Sequence, residues 1–157
     1  VVADILSHAS IHEGLSASKA KIRYFLHNNY KHMKKLLRDN RQEHAGALAI
    51  TEGLFSMDGD VPDLKQFVDL AKTNHCRVFI DEVHSFGVLG NNGLGAAERF
   101  GVLDEVDMYI GSLSKGFGAG GGFVAGPKAL ITWLEFFGKS GMFSSALSPC
   151  LAAAASK

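Results

Sequence analysis

The chain is poor in the residues that staple, break or punctuate a fold. It has two cysteines, three prolines and one tryptophan in 157 residues, which excludes a disulfide scaffold and a proline-rich recognition segment. Cys76 and Cys150 stand in no metal-type or redox-type spacing, and thiols of that kind fit a reducing, cytoplasmic setting. No apolar run is long enough to be a transmembrane helix. The opening VVADILSHASIHEG carries neither an initiator Met nor the basic-then-apolar pattern of a signal peptide. Lys+Arg and Asp+Glu are equal at 16 each, so there is no basic surplus of the kind that selects phosphate backbones or anionic lipid. Nucleic acid is not an expected partner.

What is present is a globular composition, 46% hydrophobic, enough to build a core. Short apolar or β-branched runs alternate with longer segments of helical period, the pattern of βα units in a mainly parallel sheet flanked by helices. Strands are expected at Val1 to Ile5, Ile22 to Leu26, Ala47 to Thr51, Arg77 to Asp81, Met108 to Gly111 and Gly122 to Ala125. Helices are expected at Tyr30 to Arg41, Asp63 to Asn74 and Pro127 to Phe137, with a shorter one near Ala96 to Phe100. In the first, Met33, Leu36 and Leu37 have core spacing; in the third, Pro127 suits a first helical position and Trp133, Phe136 and Phe137 read as a core-facing stripe. No repeat or linker divides the chain, so residues 1–157 read as one domain. A strand-like start and an end inside LAAAASK, which reads as helix, suggest a fragment of a longer chain.

In α/β sheets the ligand sits beyond the carboxyl ends of the strands. Four polar segments fall there: Ser7 and His8, Glu52 to Asp60, Asp81 to Ser85, and Ser112 to Lys115. The sharpest is IGSLSKGFGAGGGF, where Lys115 lies between a strand and a glycine run that allows close backbone approach. A partly desolvated lysine there is suited to attack an aldehyde as an amine. In RVFIDEVHSFGVLG an apolar strand runs into Asp81, Glu82 and His84. A carboxylate in that position is costly unless a cation faces it, and a protonated pyridine nitrogen is such a cation. His84 is placed to donate to a ring hydroxyl, His8 to stack on a flat cofactor, and Ser112 to hold a phosphate. Structural alternatives stand beside each: a strand-end cap for Asp81, a satisfied loop histidine for His84, a helix cap for His8 and a turn residue for Ser56. The Asp-Glu-x-His string also occurs in nucleotide-driven helicases, but no G-x-x-x-x-G-K-[ST] loop precedes it. The glycine run lacks the acidic ribose partner of a dinucleotide fingerprint.

With those residues in view, the sequence resembles the α-oxoamine synthases, a branch of the fold-type-I pyridoxal-phosphate (PLP) enzymes. The strings LSHASIHEG, TEGLFSMDGDVPDL, IDEVHSFGVLG, GLGAAERFGV, GSLSKGFGAGGGFVAG and FSSALSP carry the resemblance in order along the chain. Leu94 departs from it, standing where the family often has arginine. The resemblance implies the central part of a PLP-binding large domain, lacking an upstream phosphate loop and a C-terminal small domain. It implies condensation of an amino acid with an acyl-CoA to an α-amino ketone, releasing CoA and usually carbon dioxide, in a homodimer with its active site at the subunit interface. Residue by residue, it makes Lys115 the cofactor-linked amine, Asp81 the ring-nitrogen partner, His84 a contact to the ring hydroxyl and His8 the stacking ring. Ser56 would lie by the ring hydroxyl and substrate, Ser112 would hold the phosphate, and Ser144 would reach the phosphate of the neighbouring subunit. Two rivals are a class I/II aminotransferase, which shares the lysine and aspartate, and a non-catalytic partner subunit of a sphingolipid-forming heterodimer, which lacks the lysine. No metal site is expected.

Overall fold

The structure, a computed structural model, describes residues 1–40 and 45–157. Six strands form one sheet in the order β2-β1-β3-β4-β5-β6: β1 (Val2–Asp4), β2 (Arg23–Phe25), β3 (Leu48–Glu52), β4 (Arg77–Asp81), β5 (Met108–Ser112) and β6 (Gly122–Ala125). The first five are parallel, and β6 returns antiparallel to β5. The mainly parallel sheet read from the sequence is therefore present, and all its expected strands are found within a residue or two of their expected bounds.

Alternate residues along each strand face opposite sides of the sheet, and both sides are covered. Val2, Ala49, Val78 and Ile80, with Phe25 of β2, face α2 (Tyr30–Asn40), α3 (Leu64–Thr73) and the short α4 (Ala96–Arg99), through Met33, Leu37, Leu64, Phe67, Val68, Ala71, Ala96 and Ala97. Ala3, Ile50 and Phe79 face the other way, onto Ile11 and Leu15 of α1 (Ala9–Ala17). In α3 the buried set Leu64, Phe67, Val68 and Ala71 repeats at helical spacing, and the Asp63 side chain caps the start by accepting the Gln66 N–H at 3.0 Å.

Three expectations change. Helix α1 was not foreseen: Ile11 and Leu15 are its only buried residues, one turn apart, in a segment otherwise small and polar. Pro127 is the N-cap of α5 (Lys128–Phe137) rather than its first helical residue. The aromatic stripe of α5 does not face the core, since Trp133, Phe136 and Phe137 are all more than half exposed. The half-buried positions of α5 are Leu130, Ile131 and Leu134. The helix has two apolar faces, and the aliphatic one is turned inward while Trp133 stacks on Phe137 at 5.4 Å. The end expected at Arg41 lies outside the described residues. Beyond α5 come α6 (Lys139–Met142) and α7 (Pro149–Ala155). None of the described helices is long and apolar enough to cross a membrane.

Phe67 is fully buried where α3 meets α2 and β2, 6.2 Å from the Phe25 ring and 6.4 Å from Tyr30. Phe67→Ala should lower the unfolding free energy of the full-length protein by about 3–5 kcal/mol. Urea titration checks this, and a loss below about 1 kcal/mol would show that this cluster does not anchor the helix layer.

Candidate active site

Because β1, β3, β4 and β5 run in parallel, their carboxyl ends meet along one sheet edge. The register sets Glu52 beside Asp81 and Asp81 beside Ile110, so the last residues of β3 and β4 share a face. Asp81 is 4% exposed, and its Oδ1 accepts the Val83 N–H at 2.9 Å, closing the turn that carries His84. Burial raises its pKa, and the charges of His8 and His84 oppose that rise. Among the described residues Asp81 has no ion-pair partner within 4.0 Å. The strand-end cap and the proposed chemical role are thus compatible: one carboxylate oxygen ties the turn, and the group remains a buried acid facing two histidines.

His84 is half-buried, and its pKa is held below the usual histidine value by burial and then by the positive charge of Lys115. At neutral pH it is a neutral imidazole, with one N–H to donate. His84 therefore interacts electrostatically with Asp81, His8 and Lys115, and Asp81 with His8, at a single edge of the sheet. His8 is exposed and also caps α1, its Nδ1 accepting the Ser10 N–H at 3.3 Å and lying 2.8 Å from Ser10 Oγ. Capping and availability of its ring face are compatible.

Lys115 sits on the turn between β5 and β6, and glycines lock that turn against the His84 loop. A Cβ on Gly116 would meet the Phe86 carbonyl at 3.0 Å, and one on Gly87 would meet the Phe117 ring at 2.9 Å. Phe86 packs on Phe117 at 5.1 Å and edge-on to Phe123 at 4.9 Å. The glycines thus bring two loops together and fix Lys115 relative to His84. Lys115 is exposed in the described chain, and not partly desolvated as its place beside the glycine run suggests.

The serines divide. Ser112 is half-buried at the end of β5, where its hydroxyl accepts the Ser114 N–H at 3.1 Å and lies 2.7 Å from Ser114 Oγ, shaping the approach to Lys115. Ser56 is exposed in the turn after β3. Ser144 is exposed, and its hydroxyl donates to the Ser140 carbonyl within the C-terminal segment rather than toward the Asp81 edge.

Two acids that the sequence sets at strand ends without a role, Glu82 and Glu52, have one in the structure. Glu82 points away from Asp81 and is 2% exposed; its carboxylate accepts the N–H groups of Ala96 and Ala97 at 2.9 and 2.8 Å, and the Ser85 hydroxyl, so it caps α4. Glu52 is 3% exposed at the end of β3. Burial and then the neighbouring Asp81 push its pKa up to about 7. The available signal was the TEG string, which ends a strand on an acid as β4 does; the strand register was needed to see that the two acids are neighbours.

A family model described as aminotransferase class I and II matches residues 1–157. The 8-amino-7-oxononanoate synthase of Symbiobacterium thermophilum is 42% identical over all of this chain and 40% of its own length. That of Petrotoga mobilis is 44% identical over 99% of this chain and 40% of its own. A serine palmitoyltransferase variant from S. paucimobilis, solved with bound PLP-myriocin aldimine, superposes with a TM-score of 0.92 at 34% identity, covering 98% of this chain and 40% of that one. The chain spans about 40% of the length of the curated relatives it matches. It belongs to the aminotransferase class I and II family, on its α-oxoamine synthase branch.

A raised carboxyl pKa favours the fold while the group is protonated, and that stability is lost as pH rises. For Glu52 the loss runs from its ordinary 4.5 to about 7. Glu52→Gln in the cofactor-free full-length protein should therefore match the parent at the acid end of this window and be the more stable of the two at its upper end. Urea midpoints compared across pH test this, and curves that stay parallel throughout would contradict it.

Proposed function

We propose that the protein carrying this chain is a PLP-dependent acyltransferase that condenses an amino acid with an acyl-CoA, forming an α-amino ketone with release of CoA and carbon dioxide. The observation that carries this reading is the convergence of Asp81, His84, His8 and Lys115 on one edge of the sheet, with a buried carboxyl that has no ion-pair partner among the described residues. That arrangement fits PLP: the buried acid matches a protonated pyridine nitrogen and the lysine an aldehyde. Bound PLP supplies an electron sink for negative charge developing at the substrate Cα.

The chain's own residues divide the remaining work. Asp81 holds a proton at the ring nitrogen. His84, neutral at working pH, donates its N–H to the ring hydroxyl, and His8 stacks on the ring. Lys115 holds the cofactor and, with its amine freed, moves a proton at the substrate Cα. Ser56 stands by the ring hydroxyl and the substrate, and Ser112 holds the phosphate. The choice of acyl transfer over amino transfer follows the relatives, which are synthases of this branch, and the ordered strings shared with it.

The same reading makes the protein a cytoplasmic homodimer, with Ser144 reaching the phosphate of the neighbouring subunit. The exposed apolar side chains Trp133, Phe136, Phe137, Met142 and Phe143 support burial of this region against further protein.

The full-length protein should release CoA from an acyl-CoA only when an amino acid is present, and Lys115→Ala should lower that rate about a hundredfold to ten-thousandfold. Thiol release across acyl lengths with glycine, alanine and serine measures the first. Transfer of the amino group to pyruvate or 2-oxoglutarate is followed in parallel. Efficient amino transfer without amino-acid-dependent CoA release would place the protein among the aminotransferases.

A further inference from the structure

Outside the cluster around Lys115, the densest polar network among the described residues lies behind it, centred on His27. Both ring nitrogens of His27 face carboxylates: Nδ1 is 3.0 Å from Asp4 Oδ1 and Nε2 is 2.9 Å from Asp60 Oδ2. A neutral imidazole has one N–H, so two carboxylate acceptors on opposite sides of the ring select the doubly protonated form. The two carboxylates raise the His27 pKa against the opposing effect of burial. The Asn28 side-chain amide adds a donation to Asp60 Oδ2 at 2.6 Å, and the Asn28 backbone N–H, in the left-handed region at φ 52°, donates to Asp4 Oδ2 at 2.9 Å. His27, Asp58 and Asp60 also bring ligand-type atoms within 4.8 Å of one another. With both ring nitrogens already engaged, they form a hydrogen-bonded tie and not a cation site.

Each anchor of the tie belongs to a different loop of the active-site rim. Asp4 is fully buried at the end of β1; its Oδ1 also accepts the Leu6 N–H at 2.9 Å and its carbonyl the Ser7 N–H at 3.1 Å, and these bonds form the turn that delivers His8. Asp60 closes the loop after β3, where the Phe55 N–H donates to the Asp60 carbonyl at 3.0 Å and the Gly59 N–H to the Phe55 carbonyl at 2.8 Å, around Ser56. Phe55, 2% exposed, meets the His27 ring edge-on at 4.4 Å. The His8 turn and the Ser56 loop thus share one imidazole.

We infer that His27 is a positioning residue, holding the β1–α1 turn that presents His8 and the β3–α3 loop that presents Ser56 in fixed relation at the rim of one site. This rests on the proposed function for what the two loops present, while the tie itself is readable without cofactor. His27 touches neither cofactor nor substrate in this role; it acts through Asp4 and Asp60.

Amide hydrogen exchange of the cofactor-free full-length protein tests the tie. His27→Phe keeps an aromatic edge for Phe55 and removes both donors. It should speed exchange in residues 5–8 and in residues 53–60 together by about tenfold to a hundredfold, the scale of a lost charge-assisted bond, and leave residues 77–81 unchanged. Asp60→Asn, at the half-exposed end, should loosen residues 53–60 alone, and it carries the test if His27→Phe does not fold. With PLP bound, His27→Phe should reduce the induced circular dichroism per mole of cofactor, a signal that general destabilisation of a still-folded protein would not move. Unchanged exchange in both segments, or a uniform rise across the whole chain, overturns the tie. Changed exchange with unaltered cofactor dichroism overturns the positioning role. Failure of the wild-type protein to release CoA in an amino-acid-dependent way overturns the functional reading, and with it the purpose assigned to His27.

Discussion

An acid buried at the end of an apolar strand is the constraint from which the site follows. Removing a carboxylate from water costs several kcal/mol even after the surroundings relax, unless charge or hydrogen bonds offset it. Asp81 has one backbone donor, from Val83, and no ion-pair partner among the described residues, so its pKa rises. Glu52 stands beside it across the register and rises further, to about 7. Two acids placed side by side at the carboxyl edge of a parallel sheet make that edge receptive to a cation. The Val83 N–H and His8 supply part of the compensation at Asp81, and a protonated ring nitrogen would supply the rest.

The fold supports this strain by keeping it local. Asp81 and Glu82 are consecutive, yet they point to opposite sides and meet opposite fates. Glu82 receives two backbone N–H groups and a hydroxyl and serves as a structural cap, while Asp81 receives a single backbone N–H. Beneath them the sheet is packed on both sides, through Phe67, Met33 and Leu64 on one and Ile11 and Leu15 on the other. The loops above are fixed by close contacts instead of depth: Gly116 against Phe86, Phe117 against Gly87, and His27 between Asp4 and Asp60. Such second-layer support holds a site to the tolerance that catalysis demands.

The strands were legible in the sequence because each is a short apolar run whose alternate residues find cover on either side, as Val78, Phe79 and Ile80 do. Lys115, Asp81 and His84 were legible because their strings combine a strand, a turn and a chemically loaded residue within a few positions. Helix α1 was not, since two buried residues give no visible period. The stripe of Trp133, Phe136 and Phe137 misled because periodicity shows that a face is apolar and not which neighbour covers it. The pairings of Glu52 and His27 were not legible for a third reason: their partners lie 23 to 33 residues away for His27 and on the next strand for Glu52, and only the strand order brings them together. Local strings point to the residues proposed for the chemistry; the contacts among the loops that carry them depend on the topology.

The central claim is that Asp81 keeps a ring nitrogen protonated. Nitrogen-15 magnetic resonance of the full-length protein loaded with ring-labelled PLP, at mildly alkaline pH, reads that proton directly. The account predicts a protonated nitrogen in the wild-type protein and its loss in Asp81→Asn. An unprotonated nitrogen in the wild type, or the same signal in both proteins, would contradict it.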